Sequence, residues 1–116
     1  PDINAIAGQA AEGLLVTLPP AFELDPKNAD LVKAFVDTKR DPSGPFVMPA
    51  YTAVQLMVEG MQATKSEDPT KVANYIRANS FDTPIGKVEY DKFGDLKAFN
   101  FMVYTWHADG SKTAAP

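Results

Sequence analysis

Apolar residues are densest between residues 46 and 61, where they fall on almost every side of a helix. An ordinary surface helix carries one apolar stripe, so a helix that is apolar all round must be covered on several faces. Pro49 suits a first helical turn, and the turn-forming residues 41–45 (Asp-Pro-Ser-Gly-Pro) come directly before it. The pattern predicts a central helix ending near residue 64. Two interpretations of the junction at residues 46–51 remain open: the start of a core helix behind a loop, or a surface that faces a ligand.

Two further helices are predicted from the same start signal, an Asp cap followed by Pro, at Asp25-Pro26 and Asp68-Pro69. The first helix ends near Arg40 and the second ends at Asn79 and Ser80. Each has apolar residues at helical spacing on one face. These inner residues are Ala29, Val32, Phe35 and Val36 in the first helix, and Val72, Tyr75 and Ile76 in the second.

The N-terminal part predicts a short helix over residues 3–12, ended by Gly13. The apolar run of residues 14–18 does not alternate, which is typical of a strand buried on both faces, as in a parallel sheet. Pro19 and Pro20 then force an extended connector. Such a connector can be a loop or a crossing between lobes, and the residues alone favour the loop.

In the last third of the chain the spacing of apolar residues changes from that of a helix to that of a strand. Strands are predicted over residues 85–90 and 96–106, joined as a hairpin by the turn of residues 91–94. In the second strand Phe99, Phe101 and Val103 alternate with polar or less apolar residues. Residues 107–111 predict a polar turn, and residues 112–116 predict a frayed tail.

Composition narrows the function classes. The 116 residues suffice for one modest core, and a net charge of −4 with scattered basic residues argues against nucleic-acid binding. No stretch approaches the roughly 20 apolar residues of a membrane span, so no membrane insertion is expected. Without Cys the chain has no disulfide, thiolate catalysis or Cys-rich zinc site. The start at Pro1-Asp2, without Met, suggests a chain processed or cut from something longer.

Candidate chemistry is sparse. His107 is the only His and has only Asp109 close in sequence, so a solvent-edge His at a strand end is the better interpretation. Asp91 and Asp95, with Gly94 between them, faintly resemble a calcium loop but lack its closing Glu, and a hairpin turn fits better. Phosphate-cradling glycine loops and nucleophile elbows are absent from the sequence. We therefore expect part of an α/β body that is not an enzyme and uses no metal or cofactor.

Four strings are specific enough to indicate a family: "AEGLLVTLP", "DPSGPFVMPAYTAVQ", "IRANSFDTPIGKVEYDKFGDLKAFNF" and "WHADGS". In this order and spacing they resemble the C-terminal third of bacterial leucine/isoleucine/valine-binding proteins. Those proteins are the substrate-catching subunits of ABC transporters for branched-chain amino acids. The resemblance runs over essentially the whole chain.

The resemblance implies an α/β chain that is part of a two-lobed periplasmic binding protein type I fold. In that fold each lobe is a mainly parallel sheet with helices on both faces, and here a C-terminal β-hairpin would be added. Residues 1–20 would be the end of the C-terminal lobe and the second hinge crossing, so Pro19-Pro20 becomes a crossing. Residues 21–99 would complete the N-terminal lobe. Residues 100–116 would carry the third crossing and return to the C-terminal lobe.

The resemblance also implies a ligand and a place for it. An aliphatic amino acid would be held between the lobes, and an aromatic residue just before the "xxYxAVQ" helix would line its side-chain pocket. Met48 stands at that position, so an apolar substrate still fits, but this flexible side chain gives less selectivity among Leu, Ile and Val than a rigid aromatic wall. Phe46, Pro49 and Tyr51 rank below Met48. We predict that Met48 lies at the cleft surface.

The implied partners are ABC permease subunits in the periplasm, and the N-terminal portion of the same protein or a second copy exchanging elements. Two other functions compete. One is a fragment of the ligand-binding domain of an amino-acid sensor or receptor. The other is a stand-alone structural or interaction domain. A longer reading frame beside permease and ATPase genes would favour the transport protein.

Overall fold

The computed structural model describes residues 2–116 and divides the chain into two compact units. One comprises residues 1–20 and 100–116, and the other comprises residues 21–99. Pro1, the first residue of the predicted segment 1–20, lies outside the described residues. The helices are α1 (Asp2–Ala7), α2 (Ala29–Asp37), α3 (Val47–Thr64) and α4 (Pro69–Ala78). The strands are β1 (Leu14–Leu18), β2 (Phe81–Thr83), β3 (Gly86–Val88), β4 (Met102–Trp106) and β5 (Lys112–Ala114).

The first unit is a three-stranded antiparallel sheet with α1 before it. The strand order is β1-β4-β5, with Val16 opposite Tyr104 and Tyr104 opposite Ala114. The helix predicted over residues 3–12 divides at Gly8, which has φ +53°, into α1 and the 3₁₀ turn Gly8–Ala11. Tyr104 is buried, and its hydroxyl donates a 3.4 Å hydrogen bond to the buried Pro19 carbonyl. The sheet therefore has a small core of its own.

Two predictions about the first and last segments of this unit need correction. The run of residues 14–18 is a strand, but β1 pairs antiparallel with β4, and Leu14 and Leu15 are 45% and 64% exposed. An apolar run shows that both faces of a strand are apolar, but not which way its neighbour runs or what covers it. The predicted frayed tail is also wrong, because β5 pairs with β4 to make the C-terminal hairpin.

The predicted long strand over residues 96–106 is wrong as well. Only β4 is a strand there, and its buried residue is Tyr104, whereas Phe101 and Val103 are about half exposed. The sequence period could not show this, because the partner β1 lies far away in the chain. Both sheets among the described residues are antiparallel.

The second unit packs α3 and α4 over the β2–β3 hairpin. Its core contains Leu56, Phe81 and Val88, with Tyr75 and Ile76 packed against them. The buried Asn28 ties a distant loop to this core, because its amide donates to the Phe22 carbonyl (2.8 Å) and the Pro84 carbonyl (2.9 Å).

The two Asp-Pro helix starts are confirmed. Asp25 accepts a hydrogen bond from the Lys27 N–H at 3.0 Å, and a 3₁₀ turn at Pro26–Asn28 leads into α2. Asp68 accepts from the Thr70 N–H at 2.8 Å and opens α4. These carboxylates satisfy N–H groups that the first helical turn leaves without partners.

The central helix is confirmed as α3. It is apolar on most sides, as predicted, yet only one stripe is buried: Met48, Thr52, Leu56 and Gly60. An ideal Cβ on Gly60 would lie 2.8 Å from the Val72 Cγ1 atom, so α3 and α4 approach closely there. Most of the other apolar side chains of α3 are exposed, among them Val54, Met57, Val58 and Met61.

The hairpin in this unit lies earlier than predicted, because β2 pairs with β3 around Pro84 and Ile85. The turn of residues 91–94 is confirmed by a 3.1 Å hydrogen bond from the Gly94 N–H to the Asp91 carbonyl. Beyond that turn, pairing consists of a Tyr90–Leu96 bridge with two hydrogen bonds, from the Asp91 N–H to the Asp95 carbonyl and from the Lys97 N–H to the Glu89 carbonyl, each 2.9 Å. The strand prediction over residues 85–90 thus holds only for β3.

Candidate functional site

The junction at residues 46–51 is built by a fixed turn. The Asp41 carboxylate accepts a 2.9 Å hydrogen bond from the Ser43 N–H, and hydrogen bonds from Ser43 lower the pKa of Asp41. The Val47 N–H donates to the Gly44 carbonyl at 3.1 Å, and an ideal Cβ on Gly44 would lie 3.0 Å from Val47 Cγ2. A side chain at position 44 would therefore crowd Val47 at the start of α3.

The four predicted ligand residues differ in how far they are buried. Met48 is 1% exposed, so the prediction that it lies at a surface is wrong. It falls one turn before Thr52 and two before Leu56, on the stripe of α3 that faces the core. Phe46 and Tyr51 are 62% and 42% exposed, and Pro49 is half-buried.

The outward residues of the junction are uncharged. Tyr51 is braced by an edge contact with Phe35, with ring centroids 6.2 Å apart. Phe46 precedes α3 without making a side-chain cap. The junction can therefore offer an apolar wall and one phenol hydroxyl. It cannot pair with both charges of a zwitterion, which need charge-assisted hydrogen bonds.

A second polar cluster lies in the first unit. His107 Nδ1 is 2.8 Å from Glu12 Oε1, and His107 Nε2 is 3.0 Å from Thr113 Oγ1. The other oxygen of Glu12 accepts a 2.8 Å hydrogen bond from the Ala108 N–H. Asp109 instead accepts from the Ser111 N–H at 2.8 Å. The sequence neighbour Asp109 is thus not the hydrogen-bonding partner of the His107 ring.

This cluster has the order of a carboxylate–imidazole–hydroxyl chain, but its setting is structural. Thr113 is exposed on β5. Both oxygens of the Glu12 carboxylate are engaged in the turn after β4, one by the His107 ring and the other by the Ala108 N–H. The Ala108 N–H, and then His107, lower the pKa of Glu12. Asn4 supports the same turn by donating to the His107 and Ala108 carbonyls and accepting from Trp106 Nε1. The contacts hold the N-terminal segment to the C-terminal hairpin, and sequence reasoning had no signal for them.

Within residues 2–116, no group of three or more His, Cys, Asp or Glu side chains is placed to hold a metal ion. Asp91 uses its Oδ1 to accept from the Phe93 N–H (2.8 Å) and the Asp95 N–H (3.0 Å), which supports the turn interpretation. In the same described part of the chain, every helix is too short or too polar to cross a bilayer.

Comparison with known proteins adds the identity of the family. The family model for periplasmic binding proteins matches residues 1–111. The chain is 53% identical over 112 residues to the leucine-, isoleucine-, valine-, threonine-, and alanine-binding protein of Pseudomonas aeruginosa. It is 46% identical over 113 residues to the leucine-specific-binding protein of Salmonella typhimurium. Each match covers 97% of this chain but only 30% and 31% of the relative, so the chain spans about a third of their length.

Solved structures share the fold. A leucine-binding protein of Thermotoga maritima superposes with a TM-score of 0.77 at 21% identity, covering 99% of this chain and 33% of that one. A solute-binding protein of an ABC transporter from R. palustris, in complex with benzoate, gives 0.71 at 23% identity, covering 97% and 31%. The predicted α/β fold and the resemblance are both confirmed. The chain belongs to the periplasmic binding protein family.

Proposed function

We propose that the protein containing this chain is the substrate-binding subunit of an ABC importer, and that it captures aliphatic amino acids in the periplasm. The observation that carries this proposal is the 53% identity, over 97% of the chain, to a protein named for binding leucine, isoleucine, valine, threonine and alanine. The uncharged junction at residues 46–51 supports it, because an aliphatic side chain needs an apolar wall.

The ligand is held between two lobes, to each of which this chain contributes one part. Residues 1–20 and 100–116 belong to the C-terminal lobe, and residues 21–99 belong to the N-terminal lobe. The chain crosses between the lobes at Pro19-Pro20 and near Asn100. The division of the structure into compact units with these bounds supports the assignment.

Phe46 and Tyr51 supply the wall against the ligand side chain, with Pro49 beside them. Their exposure supports this order, since a ligand can touch only what the protein leaves uncovered. Met48 contributes from beneath, by fixing the start of α3 against the core. The ammonium and carboxylate of the ligand are bound by other parts of the whole protein.

The rest of the protein also covers apolar surface on this chain. Val54, Met57, Val58 and Met61 lie outward on α3, and each is between 39% and 56% exposed. Among the described residues β1 has a strand partner on one edge only. The N-terminal portion of the same protein is the partner we propose for both surfaces, because the chain spans only about 30% of its relatives.

Calorimetric titration of the full-length protein with leucine, isoleucine, valine and a polar amino acid tests the proposal. We expect binding of the aliphatic ligands, and Phe46→Ala should weaken it about tenfold by removing apolar contact area. Phe46→Leu should retain most of the affinity.

Met48→Ala should lower the free energy of unfolding by about 2–5 kcal/mol, because it leaves a cavity. Binding of the polar amino acid with no response to the aliphatic three would refute the proposal.

A further inference from the structure

Two segments of the chain join the compact units, one at residues 20–21 and the other at residues 99–100, and the first unit holds both side by side. Leu18, the last residue of β1, pairs with Met102, the first residue of β4. Pro19 follows β1 and is fully buried, and its carbonyl accepts the hydrogen bond from the buried Tyr104 hydroxyl. The two segments are therefore tied together where they leave the first unit.

A second tie joins the same segments where they enter the second unit. The rings of Phe22 and Phe99 are in contact, with centroids 6.3 Å apart and planes inclined at 49°. The Phe22 backbone is itself anchored, because its carbonyl accepts a 2.8 Å hydrogen bond from the buried Asn28 amide, which also donates to Pro84. The aromatic pair therefore links the first residues of the second unit to its last residue.

The stretches between the two ties are short: residues 19–21 in one segment and residues 100–101 in the other. Chains of two or three residues span at most about 7–11 Å. Pro19 and Pro20 stiffen the first stretch because the proline ring fixes φ, whereas Asn100 and Phe101 in the second are exposed. Two short stretches tied at both ends permit rotation about the line that joins them, but they resist twisting, which would have to lengthen one of them.

We propose that Phe22 and Phe99 are positioning residues for ligand affinity, because their ring contact makes the two stretches bend together and limits the ligand-free protein to a narrow range of lobe arrangements. This role rests on the proposed function, in which the ligand is held between the lobes. Domain closure around a ligand is general for periplasmic binding proteins, and the aromatic pair is what this chain adds to it. A protein with fewer open arrangements loses less conformational entropy when the ligand closes it, so it binds more tightly.

The test measures lobe arrangement and leucine affinity in the full-length protein. Nitroxide labels are placed at Gln9→Cys in the first unit and Lys71→Cys in the second, both exposed positions, and pulsed electron spin resonance gives the distribution of distances between them. Phe22→Ala and Phe99→Ala should each broaden this distribution without leucine, and both should return to the wild-type distribution when leucine is saturating. Calorimetry should show a Kd for leucine about fivefold higher, the scale of one aromatic contact.

Phe93→Ala is the matched control, since it removes an exposed ring from the second unit away from both segments and should change neither measurement. Phe22→Tyr keeps the ring and should behave as the wild type. Phe22→Leu keeps an apolar side chain, so it retains the fold even where Phe22→Ala does not, and it should broaden the distribution to a smaller extent.

The two measurements separate a positioning role from a purely structural one. Variants at Phe22 and Phe99 that lower the melting temperature but keep the wild-type distance distribution would overturn the inference and leave the proposed function standing. A broader distribution with unchanged leucine affinity would also overturn it. A wild-type protein that does not bind leucine would overturn the proposed function, and the inference with it.

Discussion

At the scale of single residues, the Glu12 carboxylate joins segments that are 95 or more positions apart in the chain. One oxygen meets the His107 ring and the other accepts from the Ala108 N–H. A carboxylate held by hydrogen bonds favours its charged form, which is why the pKa of Glu12 lies below its usual 4.5. The contact is exposed, so its contribution to stability is small.

We expect Glu12→Gln to lower the thermal midpoint of the full-length protein at pH 7. Because the pKa of Glu12 is lower in the folded state than in the unfolded state, its contribution is present above about pH 4.5 and is lost as pH falls through the folded pKa. Melting curves of the wild type and the variant should therefore converge in acid. Glu67→Gln, at an exposed site before α4, is the control. A pH-independent difference between Glu12→Gln and the wild type would contradict the assignment.

At the scale of elements, the close contact between α3 and α4 depends on Gly60. A Cβ there would meet Val72 Cγ1 at 2.8 Å and Ile76 Cγ1 at 3.4 Å, and both side chains are β-branched and stiff. Thr64 also donates a 2.8 Å hydrogen bond to the Gly60 carbonyl within α3. Gly60 therefore allows α3 and α4 to pack closely, although glycine lowers the helix propensity of α3.

Gly60→Ala should destabilise the protein by about 1 kcal/mol, because overpacking of about 1–3 kcal/mol exceeds the propensity gain of about 1 kcal/mol. Denaturant unfolding of the full-length protein measures the change. Adding Val72→Ala should relieve the clash, so the double variant should lose less stability than the sum of the single variants. Additive losses would show that the helices do not meet at this residue.

The helix cap made by the Asp68 carboxylate should contribute measurably to the free energy of unfolding. Its carboxylate accepts from the Thr70 N–H at 2.8 Å and the Lys71 N–H at 3.4 Å, so Asp68→Ala should cost about 0.5–2 kcal/mol. Asp68→Asn should retain most of the stability, since an amide oxygen also caps. Equilibrium unfolding of both variants checks the prediction. An Asn variant as unstable as the Ala variant would show that charge, not capping, is what matters.

At the scale of the whole molecule, two apolar surfaces of this chain lack cover among the described residues. One is the outward face of α3, which includes Val54, Val58 and Met61, and the other is β1 with Leu14 and Leu15 exposed. An apolar strand with an open edge readily pairs with another chain. Large uncovered apolar patches mark interfaces or promote aggregation.

The isolated chain of 116 residues should therefore self-associate and should not respond to leucine. Light scattering measures the association, and thermal unfolding with and without leucine measures the response. Adding the separately produced remainder of the protein should restore a defined complex. A compact monomer that unfolds cooperatively and is stabilised by leucine would mean that the chain is complete without a partner.

Sequence alone determined what depends on local chemistry. The Asp-Pro pairs specified the starts of α4 and of the turn into α2, because a carboxylate cap and a fixed proline φ act within a few residues. Asp91 and Gly94 specified their turn in the same way. The ordered strings gave the family, and the apolar density of residues 46–61 gave α3.

Tertiary structure decided everything that depends on a distant partner. Met48 and Phe46 are both apolar and two residues apart, and only packing determines that the first is buried and the second exposed. β4 begins at Met102 and buries Tyr104 because it pairs with β1, which no local period can report. The Glu12–His107 contact was invisible for the same reason. Local hydrogen bonds and dihedral preferences can be read from neighbouring residues, whereas burial and pairing depend on segments that meet only when the chain folds.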